Sequence, residues 1–83
     1  MEIGKHFQDM MKEREIPQEW IDRCISDPEN TEIHPDGTKH YIKQIPEFGN
    51  RWLRVVINQN VAPSKAVTVF FDRRLRKKYE SKS

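Results

Sequence analysis

Two runs of β-branched and aromatic residues constrain the fold of this 83-residue chain more than any other feature. Trp52–Ile57 and Ala66–Phe71 have the composition of strands near the middle of a sheet, and the polar stretch between them predicts a hairpin loop. Side chains alternate across a strand, so every second residue shares one face. The predicted core consists of the alternate residues Leu53, Val55, Ile57, Val67, Val69 and Phe71.

The opposite face of this predicted hairpin carries an arginine among aromatic residues. Arg54 lies between Trp52 and Val56 there, and its guanidinium could stack on Trp52, bind phosphate or be an ordinary surface group. The same face could instead form an exposed apolar patch of Trp52, Val56 and Phe70 for a partner helix or a second copy of the chain.

The N-terminal third predicts two short helices. Apolar residues recur at spacings of three and four within residues 5–15 and again within residues 20–25. Ile16-Pro17 separates the two helices, because the residue before a proline disfavours the helical region. Cys24 lies in the second apolar stripe, which predicts a buried small hydrophobe rather than a nucleophile.

Two further strands are predicted at residues 31–34 and 38–45, on either side of the turn Pro35-Asp36-Gly37. With strands 51–58 and 65–71 they predict an α+β fold, in which two N-terminal helices pack on an antiparallel meander sheet of about four strands. A basic helix or arm follows at the C-terminus. Residues 1–79 are expected to form a single domain and residues 80–83 a disordered tail.

The charge of the chain is unevenly distributed. Residues 1–72 carry nine Lys or Arg and twelve Asp or Glu, a net charge of −3, whereas residues 73–83 carry six and one, a net charge of +5. Such a local basic patch attracts a polyanion or an acidic partner segment, although it could also be a solvated tail. The predicted nucleic-acid-binding residues are Lys43, Arg54, Arg73, Arg74, Arg76, Lys77 and Lys78.

Other features argue against several classes of protein and site. A single cysteine cannot form an internal disulfide, no apolar run has the length of a membrane span, and the N-terminus lacks the apolar core of a signal peptide. These features predict a cytoplasmic protein without membrane contact. No recognised metal-ligand spacing occurs among His34, Asp36, His40 and Cys24, so neither a metal nor a cofactor is predicted.

Two segments resemble a small, largely uncharacterised bacterial domain family. HFQDMMKEREI at residues 6–16 resembles the opening of that family, whose usual pattern is a His, then Arg-Met, then Arg-Gly-Ile. VTVFFDRR at residues 67–74 resembles its last strand. Met10 and Glu15 stand where the pattern has arginine and glycine. That family is similar in turn to the RelE/ParE superfamily of toxins, notably its BrnT-like branch.

The resemblance implies a RelE-like domain and the function of a toxin in a toxin-antitoxin system. Many such toxins are metal-independent endoribonucleases that cut messenger RNA, often at the ribosome, and an antitoxin protein holds them inactive. The alternative is a non-catalytic module that keeps the toxin fold and binds nucleic acid or a partner protein.

RNA cleavage of this kind needs a base for the 2′-hydroxyl, cations for the phosphorane and an acid for the leaving oxygen. His6 could be the base or a phosphate ligand, or it could bond a backbone carbonyl or a carboxylate near the helix start. Toxins of the superfamily use arginines on the sheet and a tyrosine or histidine near the C-terminus. The candidate catalytic residues are therefore His6, Arg54, Arg74 and Tyr79.

Overall fold

The structure is a computed structural model that describes residues 2–80 of the chain. Its elements are α1 (Lys5–Glu13), α2 (Gln18–Ser26), β1 (Asn30–Ile33), β2 (Thr38–Ile45), a short 3-10 turn (Pro46–Phe48), β3 (Arg51–Asn58), β4 (Lys65–Phe71) and α3 (Arg74–Glu80). The four strands form an antiparallel meander in the order β1-β2-β3-β4, which confirms the predicted α+β fold. Among the described residues no helix has both the length and the apolar character needed to span a membrane.

The main core lies between one face of the sheet and the two N-terminal helices, and we call this side the helix face. Ile21 and Cys24 of α2 are fully buried there, and Phe7 of α1 is 2% exposed. The strands contribute Ile45, Leu53, Val55, Ile57, Ala66 and Val69. Burying one large apolar side chain stabilises a fold by roughly 1.5–3 kcal/mol, so this face supplies most of the hydrophobic stabilisation.

One predicted core residue lies outside this core. Val67 is 45% exposed. The pairing of β3 with β4 shifts between Val56 and Ile57, so that Ile57 pairs with Ala66. This irregularity gives Ala66 the inward position, because one extra residue in a strand moves the following side chains to the other face.

The opposite face, which we call the outer face, is covered by α3. Leu75 of α3 is 1% exposed and packs with Ile42 and Trp52. The predicted exposed apolar patch is therefore wrong, since Trp52 is 7% exposed and Val56 is 6% exposed. Glu80, expected in a disordered tail, is the last residue of α3, and the rest of that tail, residues 81–83, lies outside the described part of the chain.

The segment that carries the N-terminal resemblance builds the corner between α1 and α2. The N–H of Glu15 donates to the carbonyl of Lys12 at 3.2 Å, and the N–H of Ile16 donates to that of Met11 at 2.9 Å. This pair of bonds is the Schellman motif, whose C′ position favours glycine. Glu15 occupies that position with a φ of 54°. This is a backbone conformation that glycine adopts without strain.

Candidate functional site

The hairpin of β1 and β2 brings two histidines together at one end of the sheet. Its turn contains Gly37 with a φ of 86°, a conformation that glycine adopts without strain. Glu32 pairs with His40 across the hairpin. The rings of His34 and His40 stack with centroids 3.7 Å apart and an interplanar angle of 12°. A carboxylate and two imidazoles therefore share one corner of the outer face.

Strands β3 and β4 and helix α3 complete a cleft around these histidines. The cleft has a volume of about 320 Å³ and is open to solvent. We call it the outer-face cleft, and its lining residues are His34, His40, Arg54, Phe70, Arg74, Leu75 and Lys78. Three of these seven residues, Arg54, Arg74 and Lys78, carry a cationic side chain, and two more are histidines.

Arg54 is the central residue of this cleft. Its side chain is 9% exposed, and its Nε donates to Asp72 Oδ2 at 3.0 Å. Its Nη1 donates to Glu32 Oε1 at 3.2 Å and to His40 Nδ1 at 2.7 Å. A buried guanidinium requires such partners because an unpaired charge is costly away from water. Its Nη2 has no hydrogen bond to any residue from 2 to 80, and is available to a ligand.

The contact with Arg54 fixes the protonation state of His40. A guanidinium cannot accept a hydrogen bond, so His40 Nδ1 must be the acceptor and the proton of the neutral ring lies on Nε2. That Nε2–H donates to Thr38 Oγ1 at 3.1 Å, and the Thr38 hydroxyl donates to Asp36 Oδ1 at 2.6 Å. Burial, with further contributions from His34 and Arg54, lowers the pKa of His40. His40 is therefore neutral at neutral pH, with its lone pair already engaged.

His34 has the geometry of a general base. Its Nε2 lies 3.0 Å from Glu32 Oε1, and because a carboxylate accepts, Nε2 carries the proton. The lone pair of the neutral ring is then on Nδ1, which has no hydrogen-bond partner among residues 2–80. A carboxylate that fixes the tautomer and orientation of a histidine is the arrangement used in hydrolytic triads. His34 lines the cleft, and its side chain is 37% exposed.

Glu32 is held in its ionised form by donors from α3. Lys78 Nζ and Tyr79 Oη each donate to Glu32 Oε2 at 2.8 Å. Lys78 first, then His34, Tyr79 and Arg54, hold the pKa of Glu32 well below its ordinary value, against the opposing effect of burial. Burial and the neighbouring Glu32 raise the pKa of Tyr79, so its hydroxyl remains protonated and acts as a donor.

Asp72 joins the end of β4 to the start of α3. Its Oδ1 accepts from the backbone N–H of Arg74 at 3.0 Å, and its two oxygens accept from Arg74 Nε and Nη2, each at 3.0 Å. These hydrogen bonds hold the pKa of Asp72 below its ordinary value although burial opposes them. Arg74 itself is 81% exposed, so its guanidinium borders the cleft from the solvent side.

Glu32, His34 and His40 also lie close enough together to share a metal ion. One ligand atom from each lies within 4.8 Å of the others. However, Arg54 Nη1 already contacts two of these ligands, Glu32 Oε1 at 3.2 Å and His40 Nδ1 at 2.7 Å. A metal ion bound to both atoms would have to displace a guanidinium that Asp72 also holds. The geometry favours Arg54 as the cation of this site, and the absence of a metal stays a prediction.

The structure brings together most, but not all, of the residues that the sequence suggested. Arg54, Arg74, Lys78 and Tyr79 converge on the outer face. The other predicted cations near α3 are exposed on a different side of that helix from Arg74 and Lys78. They are Arg73, Arg76 and Lys77.

Two predicted site residues lie elsewhere. His6 is exposed at the start of α1, which packs on the helix face, so the sheet separates it from Arg54. Lys43 also belongs to the helix face, where its Nζ donates to the carbonyl of Asp27 at 2.9 Å. Neither residue can act in the outer-face cleft without a rearrangement of the sheet.

Three residues at this site were not among the site residues predicted from the sequence. His34 and His40 were considered as metal ligands, and Glu32 was not considered. The predicted hairpin could have revealed them. The sequence has Glu-x-His before the tight turn and a histidine after it, and these residues become neighbours when the two strands pair. By contrast, Cys24 is buried as predicted, and burial raises the pKa of its thiol to about 12.

Comparison of the sequence with known proteins gives one family. Residues 3–71 match a family described as a domain of unknown function (DUF4258). The match includes the hairpin of β1 and β2 and strands β3 and β4, and it ends before α3 begins. Comparisons with curated proteins and with solved structures gave no match.

Proposed function

The chain belongs to the DUF4258 family, and we propose that it is a metal-independent endoribonuclease of the RelE-like toxin type that acts on messenger RNA. One observation carries this proposal: a histidine oriented by a carboxylate, with a free lone pair, faces a cleft bordered by Arg54, Arg74 and Lys78. RNA cleavage without a metal requires a base beside cations that stabilise the phosphorane.

The proposed reaction starts at His34. Its Nδ1 takes the proton of a ribose 2′-hydroxyl, and the 2′-oxygen attacks the adjacent phosphorus. The bond from phosphorus to the 5′-oxygen breaks, which leaves a 2′,3′-cyclic phosphate and a 5′-hydroxyl. The departing oxygen takes its proton from solvent, since the cleft is open.

Cations of the cleft would stabilise the phosphorane. Arg54 has Nη2 available, and Arg74 and Lys78 have side chains that are 81% and 58% exposed, so both can shift towards a phosphate. Preorganised donors of this kind contribute roughly 10²–10³-fold each when aimed at the developing charge. Tyr79 differs from its expected role. Its hydroxyl donates to Glu32, so we assign it to positioning the carboxylate that orients His34.

A second candidate function is supported by the balance of charges in the site. The two carboxylates of Glu32 and Asp72 already pair with all three cations of the cleft, Arg54, Arg74 and Lys78. A network that is satisfied in this way can be purely structural. In that case the protein is a non-catalytic module with the toxin fold that binds RNA or a partner protein through its remaining basic surface.

Cell-free translation of a defined messenger RNA with a chelator present tests the proposal. We expect cuts that leave 2′,3′-cyclic phosphate ends, and growth arrest when the protein is expressed in bacteria. His34→Ala should abolish both effects, while His6→Ala, on the other side of the sheet, should retain them. Intact messenger RNA at high protein concentration, with retained salt-sensitive RNA binding, would favour the binding module instead.

A further inference from the structure

A second cleft lies beside α3 and contains the cations that the outer-face cleft does not use. It has a volume of about 490 Å³, and three arginines line it from different parts of the chain. Arg51 opens β3, Arg73 precedes α3, and Arg76 lies in the first turns of that helix. We call it the arginine cleft, and the lining residues that matter here are Arg51, Trp52, Phe71, Arg73, Arg76 and Glu80.

The arginines of this cleft differ from those of the outer face in their electrostatic partners. Within residues 2–80, Arg51, Arg73 and Arg76 form no ion pair with a carboxylate, whereas Arg54 and Arg74 do. Glu80 is the exposed carboxylate of the cleft, and it accepts a hydrogen bond from Trp52 Nε1. The other lining carboxylate, Asp72, is buried and occupied by Arg54 and Arg74. Three arginines that form no ion pair within residues 2–80 therefore lie together at this cleft.

Aromatic rings border this positive charge. The guanidinium of Arg51 lies 4.7 Å from the ring centroid of Phe48, and the ring of Phe48 lies 4.9 Å from that of Phe71. Phe48 is 40% exposed. Phenylalanine is more often buried, so this exposure stands out. Phe48 lies next to two lining residues of the cleft, Arg51 and Phe71. Trp20 packs against it with ring centroids 5.6 Å apart, so only part of its ring is open to a ligand. Partly exposed aromatic rings beside a basic groove are surfaces on which unpaired bases stack.

The two clefts meet at the start of α3. Asp72 lines the arginine cleft and bonds Arg74, which lines the outer-face cleft. Arg73 and Arg74 are adjacent in the chain and border different clefts. A single extended ligand with repeated negative charges can therefore contact both clefts by passing around the N-terminal end of α3.

We propose that the arginine cleft binds a phosphate of single-stranded RNA adjacent to the scissile nucleotide, with a neighbouring base stacked near Phe48. The inference rests on the proposed function, since it gives the RNA a path into the outer-face cleft. A phosphodiester fits better than a peptide carboxylate, because three guanidinium groups match the several acceptor oxygens of a phosphate and the aromatic rings match bases.

The test is equilibrium binding of a fluorescein-labelled single-stranded oligodeoxynucleotide, followed by anisotropy over a range of salt concentrations. DNA lacks the 2′-hydroxyl, so the proposed reaction cannot consume it. We expect Arg51→Gln with Arg76→Gln to weaken binding about tenfold at low salt and to reduce the magnitude of the log-log salt slope by about one. Lys5→Gln with Lys12→Gln removes the same charge from exposed positions of α1 and should leave the slope unchanged.

The inference is overturned if both double variants lose affinity and slope equally, or if the arginine variant binds like the wild type. It is also overturned if poly-L-glutamate binds as tightly as the oligonucleotide and depends on the same arginines, because the cleft would then suit an acidic protein segment.

A separate arm distinguishes this inference from the proposed function. It compares RNA cleavage by the wild type with oligodeoxynucleotide binding by the wild type and the arginine variant. In one outcome, the wild type cuts no RNA while the arginine variant still loses affinity and salt dependence. That result would support the phosphate-binding site and contradict the proposed nuclease activity.

Discussion

The two faces of the sheet are held together by different kinds of interaction. The helix face is apolar, and residues such as Ile21, Leu53 and Val55 are fully buried against α1 and α2. The outer face buries Arg54 and Asp72, which are 7% and 5% exposed. Burying an apolar side chain stabilises a fold without a specific partner, whereas a buried charge needs an opposite charge or hydrogen bonds to offset its desolvation. The helix face therefore stabilises the fold by apolar burial, whereas the outer face stabilises it through a charged network that also lines the candidate site.

The difference also explains why α3 forms at all. Its sequence, RLRKKYE, places like charges at adjacent and i, i+4 positions, which repel. Leu75 packs on Ile42 and Trp52 beneath the helix, and Lys78 pairs with Glu32 at 2.8 Å. The helix is therefore stabilised by contacts with the outer face, because seven residues are too few for a stable helix in isolation.

The largest effect on stability is expected from removing the central cation of the outer face. Arg54→Leu removes the Nε donor of the buried Asp72, which keeps Arg74 as its only charged partner within residues 2–80. Losing one partner of a buried pair costs roughly 3–5 kcal/mol, and the remaining pair with Arg74 places the expected loss towards the lower end of that range. Urea denaturation at neutral pH measures this loss. Arg54→Leu combined with Asp72→Leu should lose less stability than the single variant, since no buried carboxylate then lacks its buried partner and Arg74 is left in solvent. Wild-type stability for Arg54→Leu would mean that the network contributes nothing to the fold.

A core truncation on the helix face should separate stability from function. Ile21→Ala removes a fully buried side chain and should lower the free energy of unfolding by roughly 2–5 kcal/mol. At temperatures where the variant is still folded, its RNA cleavage rate and oligonucleotide affinity should equal those of the wild type. A loss of either property in the folded variant would show that the two faces are coupled.

The outer face should also make stability depend on pH. The pKa of Glu32 is held below its ordinary value in the folded chain, so its contribution is present above an unfolded pKa of about 4.3 and is lost as the pH falls. His40 has the same sign, because its lowered pKa makes protonation favour the unfolded chain below pH of about 6.5.

Urea midpoints of the wild type and Glu32→Gln between neutral and acid pH measure this contribution. The variant should be less stable at neutral pH and should lose less stability as the pH falls below the ordinary carboxylate range. Asp36 and Asp72 keep their lowered pKa values, so part of the acid dependence remains in the variant. Parallel curves for the two proteins would contradict the assignment of Glu32 to the network.

The smallest effect is expected at the corner of the helix face. Glu15→Gly should raise the free energy of unfolding by roughly 1 kcal/mol or less. Glycine removes the steric cost of the left-handed backbone conformation at this position, but it also increases the conformational entropy of the unfolded chain. Glu13→Gly, at the last residue of α1, should instead be destabilising by up to roughly 1 kcal/mol. Thermal unfolding of both variants checks the sign, and a loss in both would contradict the Schellman assignment.

The parts of the fold that local chemistry determines could be predicted from the sequence. The hairpin of β3 and β4, the corner at Ile16-Pro17 and the burial of Cys24 all follow from periodicity and turn residues. Val67 could not be predicted, since the shift in pairing that exposes it depends on how two strands meet. The order of α3 was also left open, because its helical state depends on pairing with Glu32 and Asp72.

The site was harder to predict because its parts are distant in sequence. Arg54 was correctly assigned to the non-core face by alternation alone. His6 was chosen because it belongs to a recognisable segment, yet that segment forms a helix corner whose Arg14 donates to the carbonyl of Val69 at 2.7 Å. The proposed role of His34 depends on Glu32 two residues earlier, and the hairpin sets the orientation of the two side chains.

The most direct test of the outer-face site is the single-turnover cleavage rate of a purified single-stranded RNA with a chelator present. Wild type, His34→Ala and His6→Ala are compared under the same conditions. If His34 is the base, its replacement should slow cleavage by about 10²-fold or more, and His6→Ala should cut like the wild type. Equal rates for His34→Ala and the wild type, or loss of activity in His6→Ala alone, would contradict the assignment of the outer-face cleft as the catalytic site.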